Sequence, residues 1–181
     1  MAPPAINTAN LALGYAILWT AAADTAKPTA NFGGVISGWT YVGATNEGIT
    51  WGKSTDVNDL FVEESSTAVM TATGQGRFSF SGQLAEVSPA NIAFVMGGGS
   101  LTGSAGSEVF VPSETLTQYA ITLDGVAAGT NKILRIYVPR ARVVSELEVA
   151  NRRSEELQLL NFEAVANVPF NQIAFNWGTA A

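Results

Sequence analysis

The sequence predicts an all-β protein, mainly an antiparallel β-sandwich or split β-barrel, with one short flanking α-helix. Three observations predict this class. Several segments alternate apolar with polar or small residues, one segment carries helix signals, and strands do not alternate with helices. At 181 residues the chain can form one ordinary domain with a sizeable core. We expect an N-terminal arm over residues 1–10 and a single β domain over residues 11–181.

The beginning of the chain is expected to form this arm and then a core strand. Pro3 and Pro4 disfavour a helix in the arm. From Leu11 to Trp19 apolar residues alternate with smaller ones, which is the period of a strand. The run also resembles the apolar part of a signal peptide. However, residues 1–10 contain no lysine or arginine, and the run is shorter than the roughly 20 residues that span a bilayer.

The following segments combine short strands with turns. A turn-rich loop is predicted over Lys27–Gly34, and a strand begins at Trp39–Val42. We expect a long loop at about residues 45–68, in which Ile49–Trp51 continues that strand.

The clearest element is a long strand over Val69–Leu84. Its even-numbered positions are apolar or small, while the odd-numbered positions from 71 onward carry hydroxyl, amide and guanidinium groups. Such a strand places one face on a core and leaves the other wetted, where it can line solvent or a channel. The candidate wetted face consists of Thr71, Thr73, Gln75, Ser79 and Ser81.

One short helix is predicted over Pro89–Met96. Ser88 suits its N-cap, proline suits its first position, and Gly97 suits its left-handed end. The helix has almost no polar side and must therefore be covered on more than one face. We expect a second subunit to cover the residues Ile92, Phe94 and Met96.

The second half of the chain continues in strands. Gly97–Glu108 is rich in glycine and serine and predicts a flexible loop. Apolar stretches separated by turn signals then predict four further strands. Their approximate bounds are Leu116–Leu123, Lys132–Val144, Leu157–Ala166 and Phe170–Trp177.

The composition excludes several classes of chemistry. The chain has no histidine and no cysteine, so thiolate or imidazole metal sites, Ser-His-Asp triads and disulfides are excluded. Its net charge of −6 argues against a surface that grips nucleic acid. The same charge would suit a protein past which DNA slides without being held.

Motifs for cofactors or catalysis are weak. The Gly74–Gly76 pair lacks the third glycine of a dinucleotide fingerprint, and GGGSLTG lacks the lysine of a phosphate-binding loop. Asp56–Asp59 begins like a calcium loop, but Leu60 follows where a ligand is needed. Adjacent Glu63 and Glu64 would point to opposite faces of a strand. We therefore expect no enzyme, no cofactor and no catalytic, cofactor-binding or metal site.

Opposite charges concentrate in two segments. Residues 45–64 contain five acids and one lysine, a net charge of −4, and residues 132–153 contain six bases and two acids, a net charge of +4. The segments either pair between copies, head to tail, or form a salt-bridged surface within one chain. The acidic loop comprises Glu47, Asp56, Asp59, Glu63 and Glu64, and the basic segment comprises Lys132, Arg135, Arg140, Arg142, Arg152 and Arg153.

The order and spacing of several motifs resemble the major tail tube proteins of long-tailed bacteriophages. The resemblance extends from about Leu11 to Trp177. Its motifs are GWTYVGATNEGIT, the charged stretch VNDLFVEES, the strand and helix start FSFSGQLAEVSPANIAFVMGG, and the late stretch ILRIYVPRARVVSELEVANRRSEELQLLNFEAV.

The resemblance implies a tail-tube-like fold and a structural virion protein. Family members form hexameric rings, and the inner sheets of the subunits join into a continuous β-barrel. The rings stack into a tube through which the genome is ejected. The implied partners are further copies and the tape measure, tail terminator and distal tail proteins. DNA would pass without specific binding, and no membrane insertion is implied. The implied location is the virion tail, with assembly in the host cytoplasm.

The resemblance also gives each predicted feature a place. The wetted strand face would line or adjoin the lumen, and the helix would pack between subunits or rings. The acidic loop would reach the next ring, and a neighbour would order the arm. Two alternatives stay open. One is a monomeric carbohydrate-binding or adhesive β-sandwich whose exposed aromatic residues would be Trp39, Tyr41, Trp51 and Trp177. The other is a ring-forming head-to-tail connector or tail terminator.

Overall fold

A computed structural model describes residues 16–60, 63, 67, 70–104, 107–126, 132–144 and 159–179. The elements in these ranges are β1 (Ala16–Ala22), β2 (Thr40–Tyr41), β3 (Thr45–Leu60), β4 (Met70–Leu84), α1 (Pro89–Val95), β5 (Gly99–Ser104), β6 (Ser107–Pro112), β7 (Gln118–Val126), β8 (Lys132–Val143), β9 (Leu160–Ala166), a 3-10 helix (Phe170–Gln172) and β10 (Ala174–Thr179). The predicted all-β class with one short helix is confirmed. The division into an arm and one domain stays a prediction.

Eight strands form one antiparallel sheet in the order β2-β1-β7-β8-β9-β4-β3, with β10 paired to β8. Strand β8 is the branch point of this sheet. One edge pairs with β7, while the other pairs with β10 over residues 132–137 and with β9 over residues 141–143. The sheet therefore splits at residues 138–140. Strands β5 and β6 form a separate two-stranded hairpin.

The main core lies inside the curled sheet. The hydroxyl of Thr45 at the start of β3 donates a hydrogen bond to the carbonyl of Ala16 in β1, at 3.5 Å, so the two ends of the sheet approach each other. Helix α1 begins at the predicted cap, where the Ser88 hydroxyl accepts a hydrogen bond from the Asn91 amide at 3.1 Å. Phe94 extends from this helix into the core.

Strand β4 shows why the sequence alternates here. Phe78, Phe80 and Leu84 are buried in the main core, whereas Arg77 and Ser81 are exposed on the opposite face. The predicted alternation is confirmed over this part of the strand. Pairing with β9 from residue 79 to residue 84 holds the apolar face against the core.

A second cluster covers the other face of β1, β7 and β8. Trp19, Ala120 and Tyr137 lie on these strands, and Ile36 and Trp39 cover them from the segment between β1 and β2. We call residues 23–39 the covering loop. Its packing gives the central strands a buried face on both sides.

Three local predictions are wrong. The region of residues 45–68 is not a long loop as far as it is described, because residues 45–60 form β3 and pair along β4. The glycine- and serine-rich segment of residues 97–108 contributes β5 and the start of β6, since cross-strand hydrogen bonds satisfy its backbone. The last predicted strand is a 3-10 helix followed by β10. Residues 1–15, with the predicted arm, lie outside the described residues.

Candidate assembly surfaces

Strand β3 presents a long open edge. It is the last strand in the sheet order, and among the described residues only β4 pairs with it. Strand β4 pairs with β9 only from residue 79 to residue 84, so its part from residue 70 to residue 78 also lacks a second strand partner in the described structure. Unpaired strand edges are templates for pairing with another chain. The β3–β4 hairpin is therefore a candidate assembly surface.

The predicted acidic residues follow this hairpin. Glu47 is exposed and has a left-handed backbone with φ 58°, at a bulge in β3. Asp56 and Asp59 lie in β3, but the structure does not describe their side chains. Glu63 is exposed beyond the end of β3, and Glu64 lies outside the described residues. Glu47, Asp56 and Asp59 therefore lie in a strand rather than in a loop, and Glu63 follows the end of that strand.

Arg135 does not belong to an assembly surface. Its side chain is 0% exposed and forms a two-pronged ion pair with the equally buried Asp124, with both N–O distances at 2.6 Å. The guanidinium also donates to the carbonyls of Ala30 and Asn31 and lies 4.3 Å from the centre of the Phe32 ring. These contacts attach the covering loop to β7 and β8. The prediction that Arg135 meets a neighbouring copy is corrected, because its charge is neutralised inside the subunit.

The other basic residues differ among themselves. Arg140 forms an ion pair with Asp24 of the same chain, with an N–O distance of 2.6 Å, and both side chains are about half exposed. The hydrogen bond from this guanidinium lowers the pKa of Asp24 below its ordinary value of 3.8. Lys132 is exposed and Arg142 is half-buried. The structure does not describe Arg152 or Arg153.

Four exposed aromatic side chains lie near one another, and only two of them, Trp51 and Trp177, were grouped from the sequence, as part of the binding-module alternative. Trp51 from β3 contacts Phe175 from β10, with ring centres 5.7 Å apart, and Phe170 lies 6.3 Å from Phe175. Trp177 follows on the same face of β10 and is 65% exposed. We call these four residues the aromatic patch. Alternation within β10 was the signal that could have added Phe175.

Strands β5 and β6 form a second surface that the sequence did not predict. Leu101, Val109 and Val111 are exposed on this two-stranded hairpin, which packs against α1. We call its described residues, 99–104 and 107–112, the projecting hairpin. The signal that could have predicted β6 is the β-branched and aromatic run Val109–Val111 before a proline.

Among the described residues, no group of three or more acidic, histidine or cysteine residues could hold a metal ion. A cleft of about 670 Å³ lies between the β3–β4 hairpin and residues 166–170, lined by Lys53, Gly74, Gly76 and Phe170. No helix within the described ranges has the length and apolarity needed to cross a membrane.

Comparison with known protein families decides the assignment. The family model described as "Phage tail tube protein" matches residues 5–177. The chain belongs to the phage tail tube protein family. A comparison with curated protein sequences finds no match. The match to the family model confirms the resemblance to phage tail tube proteins.

Membership of the phage tail tube family defines the protein in general terms. It is a structural component of the virion tail, and the family implies that it associates with further copies of itself and with other tail proteins. The family is structural rather than enzymatic. The open hairpin edge, the projecting hairpin and the aromatic patch are thus surfaces of a tail tube subunit.

The helix of this subunit is covered mainly by its own chain. Phe94 and Val95 are buried in the subunit's own core, which corrects the expectation that a second copy covers Phe94. Ile92 is half-buried against the same core, and Met96, at the C-cap, is also half-buried. The exposed Ala90 is also accessible to a neighbour.

The predicted wetted face belongs to β4. Ser81 is exposed and Ser79 is half-buried, while Arg77 on the same face pairs with Glu163 at 2.9 Å. Thr71, Thr73 and Gln75 lie on the same strand, but the structure does not describe their side chains. That this face lines a lumen stays a prediction.

Proposed function

We propose that this tail tube protein assembles into hexameric rings that stack into the tail tube and conduct the genome during delivery. The observation that carries the proposal is the open edge of the β3–β4 hairpin. A strand of a neighbouring copy can extend the sheet at such an edge through backbone hydrogen bonds. Repeated head to tail, the same contact closes into a ring.

The charge of the chain supports passage of DNA without binding. The net charge is −6, and acidic residues lie along and beyond β3. A surface of this sign repels phosphate groups and releases no counterions. Ser79 and Ser81 of the wetted β4 face carry no charge, and Arg77 on the same face is paired with Glu163, so this face suits a lumen wall.

The acidic residues also contribute to assembly in this proposal. Within the described structure, Arg135 and Arg140 are engaged by Asp124 and Asp24 of their own chain. Within the basic segment, the cations left for a neighbour's acids are then Lys132 and Arg142, together with Arg152 and Arg153. Assembly occurs in the host cytoplasm, and the tube meets the tape measure, tail terminator and distal tail proteins.

Electron microscopy of the purified protein tests this proposal. The protein is concentrated at low and at high salt and imaged in negative stain, and hollow tubes of stacked rings are the expected result. Closed rings that never stack would instead favour a connector or terminator. Monomers that persist and bind glycans would favour the binding module.

A charge-reversed variant tests the assembly role of the acids. Replacing Asp56, Asp59, Glu63 and Glu64 by lysine is expected to shorten the tubes and change their salt stability. Glu114→Lys is the control, because it reverses an exposed acid outside the set. If the tubes of the reversed variant keep their length and salt stability, the acids do not contribute to assembly. That result would not contradict the proposal that the protein forms a tube.

A further inference from the structure

We propose that the projecting hairpin of one copy docks on the aromatic patch of the next copy, with Glu108 of the hairpin facing Lys53 beside the patch. The inference rests on the proposed self-assembly and adds the pair of surfaces that carries it. It concerns side-chain contacts and is separate from pairing at the open β3 edge.

The aromatic patch is unusual for the surface of a free subunit. Trp177 is 65% exposed and Trp51 is 44% exposed, while Phe170 and Phe175 are 39% and 38% exposed. The rings of Trp51, Phe170 and Phe175 each pack against the buried ring of Phe78, and Trp177 follows Phe175 on the same face of β10. Contiguous exposed apolar surface of this kind marks an interaction site.

The projecting hairpin lacks a cover of its own. Val109 is 58% exposed and Val111 is 53% exposed on one face, and Leu101 is 42% exposed on the other. A two-stranded hairpin is marginally stable by itself in water and normally needs a packing partner. Within the described structure both of its strands pack against α1, yet these three side chains stay exposed.

The two surfaces are complementary in charge. Glu108 is the only charged residue in the projecting hairpin. Lys53 lies beside the patch, with its ammonium group 4.4 Å from the centre of the Phe170 ring. Both side chains are exposed, and neither forms an ion pair among the described residues. An aromatic and aliphatic contact with one ion pair at its side is a plausible composition for an interface.

The aromatic patch lies beside the first half of β8, and the projecting hairpin lies near its end. Trp177 and Phe175 pair with Leu134 and Ile136, whereas Gly97, next to the hairpin, lies against the carbonyl of Val143. Seven to nine positions along the strand separate these pairs from Val143, which is about 23–30 Å at roughly 3.3 Å per residue. Because the surfaces do not overlap, one copy can use both at once, as a repeating head-to-tail contact requires.

A charge swap tests the pairing. Lys53→Glu and Glu108→Lys are each expected to raise the concentration needed for assembly about tenfold, and the double variant is expected to restore it. Sedimentation velocity measures assembly, and Glu114→Lys is the control for altered net charge. Single variants that assemble like the parent chain, or a double variant that is not restored, would overturn the inference. Matching thermal unfolding curves for the monomers show whether each variant folds.

Cysteine cross-linking gives a second test that does not depend on tubes. The chain has no cysteine, so a Lys53→Cys chain mixed with a Glu108→Cys chain can form a disulfide only at the introduced sites. We expect a heterodimer in the mixture and few homodimers in either chain alone. A mixture without heterodimer overturns the inference even if tubes form. Failure of the parent chain to assemble at all would instead count against the proposed function.

A glycan-binding experiment tests the rival occupant of the patch. Trp177→Ala is expected to weaken assembly and to leave glycan binding unchanged, because a second copy covers this ring. A Trp177→Ala chain that assembles normally but loses binding to a glycan array would overturn the inference in favour of a carbohydrate site.

Discussion

Replacing Asp124 by asparagine should destabilise the subunit strongly. Asp124 and Arg135 are both 0% exposed, and the two carboxylate oxygens accept from Nε and Nη2 of the guanidinium at 2.6 Å. The same carboxylate accepts from the backbone amide of Gly33 at 2.8 Å. Asp124→Asn keeps the shape of the side chain but leaves the guanidinium as a buried charge without its counterion.

The size of the effect follows from burial. Removing one partner of a buried ion pair costs about 3–5 kcal/mol, because the remaining charge cannot be solvated. Typical domains unfold with a free energy of about 5–15 kcal/mol, so the loss is a large share of the total. The covering loop should suffer most, since Arg135 also holds the carbonyls of Ala30 and Asn31.

Urea unfolding and hydrogen exchange measure this effect. Unfolding is followed by tryptophan fluorescence at a concentration at which sedimentation shows monomers, and the exchange rate of the Gly33 amide reports on the covering loop. Asp24→Asn is the matched control, because Asp24 pairs with Arg140 on the surface, where solvent screens the charges. The control should shift the urea midpoint much less.

Equal urea midpoints for the two variants would refute the reasoning. So would an Asp124→Asn variant whose Gly33 amide exchanges at the parental rate. Either result would mean that the buried pair neither contributes to stability nor holds the loop.

Three further predictions concern the core, the response to alkali and a turn. Phe80→Ala should lower the free energy of unfolding by about 3–5 kcal/mol, because this fully buried ring would leave a cavity; urea unfolding measures it. Burial, with a smaller effect of the Asp24 charge, raises the pKa of Tyr137 above its ordinary value of 10.0. The stability that this tyrosine contributes is therefore present below pH 10 and is lost as the pH rises through the folded-state pKa. Tyr137→Phe should weaken this loss in pH-dependent unfolding, and an unchanged pH profile would contradict the assignment. Gly98→Ala should cost more than about 1 kcal/mol in thermal unfolding, because the glycine has φ 121° and a Cβ there would collide with the Thr117 side chain; a parental melting temperature would contradict this.

Part of the fold was predictable because it depends on local pattern. The alternation of β4 identified its core face at Phe78 and Phe80, and the Ser88 cap with Pro89 identified the start of α1. These signals act within a few residues, through strand period and cap chemistry. The glycine- and serine-rich stretch before Val109 misled, because cross-strand pairing overrides a weak local preference.

The candidate surfaces were less predictable because they depend on which strands meet. Trp51, Phe170 and Trp177 are far apart in the chain, and they share one surface only because β3, the 3-10 helix and β10 pack together. The open edge of β3 likewise follows from its place at the end of the sheet order. No periodicity in the sequence reports that place.

The sequence alone determined the all-β class, the absence of histidine and cysteine chemistry, the acidic balance and the family resemblance, because composition and local pattern carry these properties. Only the tertiary structure decided what each charge does. Arg135 and Arg140 lie five residues apart in β8, yet one is buried against Asp124 and the other is half exposed beside Asp24. The register that places Asp124 opposite Arg135, and the covering loop that shields them, cause this difference. Neither is visible until distant segments of the chain are brought together.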